Sequence, residues 1–176
     1  MRFVAAWALG ETPDATAVPG LLAALRDVNE DVRFQSAEAL GRIGQDAVPD
    51  LLKMLQESDQ ELRRMAADTL GTIGPPTAIP GLLQALYDED MSVRFRAADA
   101  LRQIGYAALP GLLAALQDAD TDVRFLAAMT LGDIGDPDAA PGLLAALQDD
   151  DAGVRAQATE ALAKIRDRTD QGYDGS

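Results

Sequence analysis

The chain has no cysteine and no histidine. Without thiols it can form no disulfide, no zinc–thiolate site and no thiol nucleophile. Without imidazole it has no histidine general base or metal ligand, which excludes a Ser-His-Asp triad, a zinc-protease centre and a histidine-ligated iron site. Lysine is nearly absent too, with Lys53 and Lys164 the only two. Lys and Arg together number 15 against 29 Asp and Glu, for a formal charge of −14. That excess argues against binding nucleic-acid phosphates or an anionic bilayer, which both call for a basic face. No apolar run approaches the roughly 18 residues of a membrane span. The opening MRFVAAWALGE lacks a signal-peptide cleavage pattern and matches a later internal segment, so it reads as structure and the protein as cytoplasmic.

What is there is one unit repeated. A Val-Arg-like pair ends at Arg2, Arg33, Arg63, Arg94, Arg124 and Arg155, with spacings of 31, 30, 31, 30 and 31. A proline recurs at Pro19, Pro49, Pro80, Pro110 and Pro141, spaced 30, 31, 30 and 31. The alternation makes a 61-residue double period, a hint of duplication in pairs. Each unit predicts two helices. Helix A starts at the proline, whose missing N–H costs nothing in a first turn. After an acidic turn, helix B starts behind Asn29, Asp59, Asp90, Asp120 or Asp151, side chains suited to orphan N–H groups. It stops at Gly44, Gly74, Gly105 or Gly135, as a left-handed cap requires. Apolar residues one before each Arg and three, seven and ten after it give helix B a buried face. Stacked pairs of this kind make an α-solenoid.

The pattern P-G-L-L-x-A-L…D-x-D-x-x-V-R-x-x-A-A-x-x-L-G-x-I-G resembles the short HEAT-like repeats of the phycobilisome-lyase type, over residues 1 to about 166. The resemblance implies a right-handed all-α superhelix of about 5.5 repeats and roughly 11 helices, with B helices lining the concave side. Residues 1–168 then form one solenoid and 169–176 a polar, frayed tail. The chain opens inside a B helix. It reads as a fragment of a longer array, or else as an open half-repeat through which copies self-associate. At the other end Ala156, Gln157, Glu160 and Lys164 look like a polar cap.

At about 100 degrees per residue, the first and fifth positions after each Arg point away from the core. All four Phe fall at the first: Phe3, Phe34, Phe95 and Phe125, with Arg64 in another unit. The fifth holds Trp7, Glu38, Asp68, Asp99 and Met129. These ten residues are the expected partner-binding face, since lined-up apolar side chains on a solvent face mark interfaces. The alternative is that the rings lie down on neighbouring helices and close the solenoid. The arginines Arg33, Arg63, Arg94, Arg124 and Arg155 are expected to form a structural ladder, because a ligand needs one site and this Arg recurs in each unit. The acidic turns, Asp118-x-Asp120-x-Asp122 included, read as caps rather than a calcium loop, which would need a Gly after them.

These residues call for no metal and no cofactor. The expected function is a non-enzymatic scaffold that clasps another protein. The alternative, from the resemblance, is a bilin lyase or chaperone acting on phycobiliproteins. An iron hydroxylase built on such repeats is excluded by the lack of histidine, and paired carboxylates such as Asp68 and Asp99 should be solvated and inert.

Overall fold

In a computed structural model, residues 14–173 are described, with side chains through 170. Among the described residues ten α-helical stretches alternate short and long: α1 Val18–Ala24, α2 Glu30–Ile43, α3 Val48–Met54, α4 Gln60–Ile73, α5 Ile79–Ala85, α6 Met91–Ile104, α7 Leu109–Ala115, α8 Thr121–Ile134, α9 Ala140–Ala146 and α10 Ala152–Tyr173. The odd-numbered helices are the A helices and the even-numbered ones the B helices. Each A helix is led in by a 3-10 turn and begins one residue ahead of its proline. Where that turn follows a B helix directly, as over 30–54 and 91–115, it starts on the very glycine that ends the B helix, with no loop residue between. The described residues therefore hold eight helical runs separated by loops, not the roughly eleven helices expected. The last helix runs on to Tyr173, past the tail boundary expected at 168, and the Arg168 guanidinium donates to the Ile134 carbonyl at the end of α8.

Local chemistry sets the helix limits. Asn29, Asp59, Asp90 and Asp120 have extended backbones, and each accepts from an N–H in the first turn of its B helix. Asp151 does the same for Gly153 and Val154, at 2.8 and 3.0 Å. Such caps are worth about 1 kcal/mol each. Four glycines end the B helices at positive φ, but in two conformations. Gly74 and Gly135 are left-handed, with ψ of 33° and 22°. Gly44 and Gly105 have ψ of −128° and −135° and lead straight into the next turn. The one-residue alternation in repeat length lies here: four residues separate Gly44 from Pro49 and five separate Gly74 from Pro80.

The core is a row of leucines between the two layers. Leu21, Leu51, Leu82, Leu112 and Leu143 of the A helices and Leu40, Leu70, Leu101 and Leu131 of the B helices are fully buried. The position three after each Arg is small and buried throughout: Ser36, Ala66, Ala97, Ala127 and Ala158.

Neighbouring B helices pack in two ways. A Cβ added at Gly71 would lie 2.9 Å from the Ala100 Cα, and one at Gly132 would lie 2.6 Å from the Ala161 Cα. The joints α4/α6 and α8/α10 are thus closed to backbone contact. At α2/α4, Gly41 meets only the Thr72 side chain, at 3.2 Å, and at α6/α8 the equivalent residue is Arg102. Opposite the two tight glycines the incoming helix offers Ala100 and Ala161; in α4 and α8 the equivalent residues are Thr69 and Thr130. Those hydroxyls bond the Met65 and Leu126 carbonyls of their own helices. Tight and open joints therefore alternate with the 61-residue period.

Candidate functional site: the face of the B helices

The open joints leave two clefts on the outer face of the B helices. The first has a volume of about 570 Å³ and the second about 430 Å³. They are equivalent under the 61-residue step. Phe34, Ala37, Glu38 and Thr69 in the first correspond to Phe95, Ala98, Asp99 and Thr130 in the second. Arg96 and Asp99 line both, so the clefts form one interrupted groove.

The groove brings together Phe34, Glu38, Arg64, Asp68, Phe95, Asp99 and Met129 from the expected face. Phe34 is 64% exposed and Phe95 is 45% exposed, whereas Met129 packs against the core. Phe125 stands apart. It is half-buried, with its ring edge within reach of a side chain that would stand at Gly153, at the start of α10. Phe3 and Trp7, together with Arg2, lie outside the described residues.

Charge in the groove is organised as ion pairs along and between helices. The Arg64 guanidinium donates to both oxygens of Glu61 at 2.9 and 2.7 Å and lies 3.5 Å from Asp68. Arg96 reaches the other oxygen of Asp68 at 3.4 Å. Arg64 holds the Glu61 carboxyl below its usual range, while burial pushes that of Asp68 up against the pull of the two arginines. Glu38 pairs with Arg42, and Asp99 with Arg102. At the far end Lys164 bridges Asp133 and Glu160, both at 2.8 Å. Glu61, Arg96, Arg102 and Asp133 were not among the ten residues of the expected face. The alternation of Ala and Thr six residues after each Arg was the signal that could have located the open joints.

The five recurrent arginines sit along the turn edge, and Arg33 also lines the first cleft. Arg33, Arg63, Arg124 and Arg155 donate to carbonyls of their own A–B turn: Asp27 and Val28, Glu57 and Ser58, Asp118 and Ala119, Asp149 and Asp150. Arg94 does so to Asp88 and reaches Asp122 at 3.0 Å. Arg63 and Arg124 also grip the next turn acid through both oxygens, Asp88 at 2.7 and 2.9 Å and Asp149 at 2.8 and 2.9 Å. At the other two joints a side chain from the end of helix A does this instead: Arg26 bonds Glu57, and the Tyr87 hydroxyl bonds Asp118. Each joint among the described residues thus carries a bridge onto the first acid of the next turn, its donor alternating with the double period. Asp118, Asp120 and Asp122 are spent on Tyr87, a helix cap and Arg94. Among the described residues no helix is long and apolar enough to cross a membrane.

The sequence matches the model of HEAT repeats over residues 1–59, 48–112 and 109–171. The chain belongs to the HEAT-repeat family. No curated protein matches it. Among solved structures it is similar to the complex of CpcE and CpcF of phycocyanin lyase from Nostoc sp. PCC7120. There the identity is 28% and the TM-score 0.63, covering 85% of this chain and 99% of that one. That similarity agrees with the resemblance to repeats of the phycobilisome-lyase type. This HEAT-repeat chain also shares its fold with YIBA_ECOLI, at 24% identity and a TM-score of 0.53 over 89% of this chain and 62% of that one. A designed armadillo repeat protein is similar at 19% identity and a TM-score of 0.50, over 93% and 91% of the two chains.

Proposed function

We propose that the chain is a non-enzymatic scaffold that holds another protein against the face of its B helices, the concave face in a right-handed superhelix. The observation that carries this reading is the pair Phe34 and Phe95. In a chain whose core leucines are fully buried, these two rings stand in solvent on one face, at equivalent open joints. Bulky aromatics are not needed to pack alanine-rich helices, and exposed rings of this kind anchor partners. The arginine series supports the scaffold role by fixing the spacing of the repeats.

The test is partner capture from a lysate of the source, with the double variant Phe34→Glu, Phe95→Glu as control. The variant is expected to melt with the parent and to lose the captured protein. A collapsed melting temperature would make the rings structural. Unchanged capture by a folded variant would move the interface elsewhere.

The likeness to phycocyanin lyase favours a second reading, in which the partner is a phycobiliprotein and the chain helps to attach or remove its bilin. Incubation with an apo-phycobiliprotein and free bilin distinguishes the two. A gain of visible absorbance that requires the chain establishes the lyase role; no gain leaves the scaffold.

A further inference from the structure

We propose that the two open joints form a bipartite receptor for a basic segment of the partner, each joint holding one arginine or lysine side chain. This rests on the B-face reading above and narrows the chemistry of its partner. Each joint pairs a ring with a carboxylate one turn further along the same helix: Phe34 with Glu38, and Phe95 with Asp99. Residues four apart share a helix face, so ring and carboxylate meet one ligand. An aromatic face attracts a cation and a carboxylate supplies the opposing charge, a combination selective for guanidinium and ammonium groups. The other B-helix positions among the described residues lack it. They pair Arg64 with Asp68, Phe125 with Met129, and Ala156 with Glu160.

The carboxylates are accessible to a guest. Glu38 and Asp99 are held by Arg42 and Arg102 of their own helices, in pairs that are about two-fifths exposed, and accept from the neutral amides of Gln35 and Gln103. Exposed pairs of this type are weak and exchange readily for a better-placed guanidinium. The chain's charge of −14 steers a cationic segment toward it.

The spacing of the receptor follows from the fold. Packed helices lie about 8–10 Å apart, so two steps place the joints about 18 Å apart. An extended chain rises about 3.3 Å per residue, which puts the two basic residues about six positions apart. Between the joints Arg64 and Arg96 both hold Asp68, so the stretch that passes over them is neutral or acidic.

The test is fluorescence anisotropy with a labelled glycine-serine peptide carrying two arginines about six residues apart. At low salt it is expected to bind at least about fivefold tighter than the single-arginine peptide. The double variants Phe34→Ala, Phe95→Ala and Glu38→Gln, Asp99→Asn should each weaken it about fivefold or more, and added salt should weaken it further. Three results would overturn the proposal. A peptide with leucines in place of the arginines binding equally well makes the receptor apolar. Arginine-peptide binding that ignores both double variants places the cation on the acidic turns. No binding of any peptide, with partner capture still dependent on Phe34 and Phe95, leaves the B-face interface standing and removes only its cationic occupant.

Discussion

The alternation of tight and open joints is tested by adding a single methyl group to equivalent glycines. Gly41, Gly71 and Gly132 occupy the same position of their repeats. In a helix interior, alanine is favoured over glycine by about 0.8–1 kcal/mol. Gly41→Ala keeps that gain, because its Cβ meets only the Thr72 methyl at 3.2 Å, a side-chain atom that can move aside. Gly132→Ala does not. Its Cβ would lie 2.6 Å from both Cα and Cβ of Ala161, where ordinary contact begins at 3.4 Å. Neither atom can rotate away, so α8 and α10 must separate by the better part of an ångström. Overpacking of this kind costs about 1–3 kcal/mol or more, which cancels or reverses the propensity gain. Gly71→Ala is intermediate, at 2.9 Å from the Ala100 Cα.

In urea, Gly41→Ala should therefore unfold later than the parent, and Gly132→Ala earlier. In an array whose stability is a sum over neighbours, the damage is local. Hydrogen exchange should show α9 and α10 opening first in Gly132→Ala, with α1 to α4 unaffected. If Gly132→Ala stabilises as much as Gly41→Ala, the two joints are equally open. The argument that places the clefts then fails with it.

The bridges between repeats should differ sharply in worth. Asp88→Ala removes two charge-assisted bonds from the Arg63 guanidinium, only 8% exposed, leaving it the Glu57 and Ser58 carbonyls and the exposed Glu89, and should cost about 2 kcal/mol, whereas Arg26→Ala breaks a half-exposed pair and should cost under about 0.5 kcal/mol, both read from urea midpoints. The helix caps should separate by conformation: Gly74→Asn, in the left-handed region that asparagine tolerates, should be nearly neutral. Gly105→Asn, at φ 75° and ψ −135°, should cost about 1–3 kcal/mol. On the acid side, the Tyr87 hydroxyl first and then the Asp120 N–H hold Asp118 below its usual range, and Arg124 does so for Asp149. Carboxyls lowered in the folded state stabilise above their unfolded value of about 3.9 and lose that contribution as the pH falls through the folded value, so acid unfolding should steepen below about pH 4. Tyr87→Phe should flatten that slope. Asp68 has the opposite sign: burial raises its carboxyl, so ionisation weighs against folding at neutral pH, and Asp68→Asn should melt no lower than the parent at pH 7.

The repeat, its caps and its buried face were legible because each depends on neighbours in sequence. Asn29 and Asp90 cap the N–H groups two and three residues on, and Gly44 turns the chain where it stands. The site was legible only in outline. Helical periodicity pointed Phe34, Phe95 and Phe125 outward alike, since it treats each helix as if alone. The structure separates them by what the next helix does: α10 packs tightly enough on α8 to shelter Phe125, while α4 and α8 stand back from Phe34 and Phe95. That difference is set across a joint, by Gly132 facing Ala161. No single helix carries it.

The one-residue alternation in repeat length, the two glycine conformations, the changing donor of the cross-repeat bridge and the paired clefts all share the 61-residue period. Where the loop after a B helix has the extra residue, as after Gly74 and Gly135, that helix also closes on the next. Where the loop is short, as after Gly44 and Gly105, the joint stays open and a phenylalanine stands at it. The physical unit of this solenoid is accordingly a pair of repeats, and its surface carries the cleft twice at equivalent positions. A partner that reads the face should therefore repeat its own anchors at the two-repeat distance. Deleting residues 62–122, one full double period, should leave a folded protein with one cleft, because it rejoins equivalent positions of the array. Such a variant should keep its melting cooperativity and lose the gain from a second anchor. If it binds a two-anchor partner as tightly as the parent does, the second cleft contributes nothing.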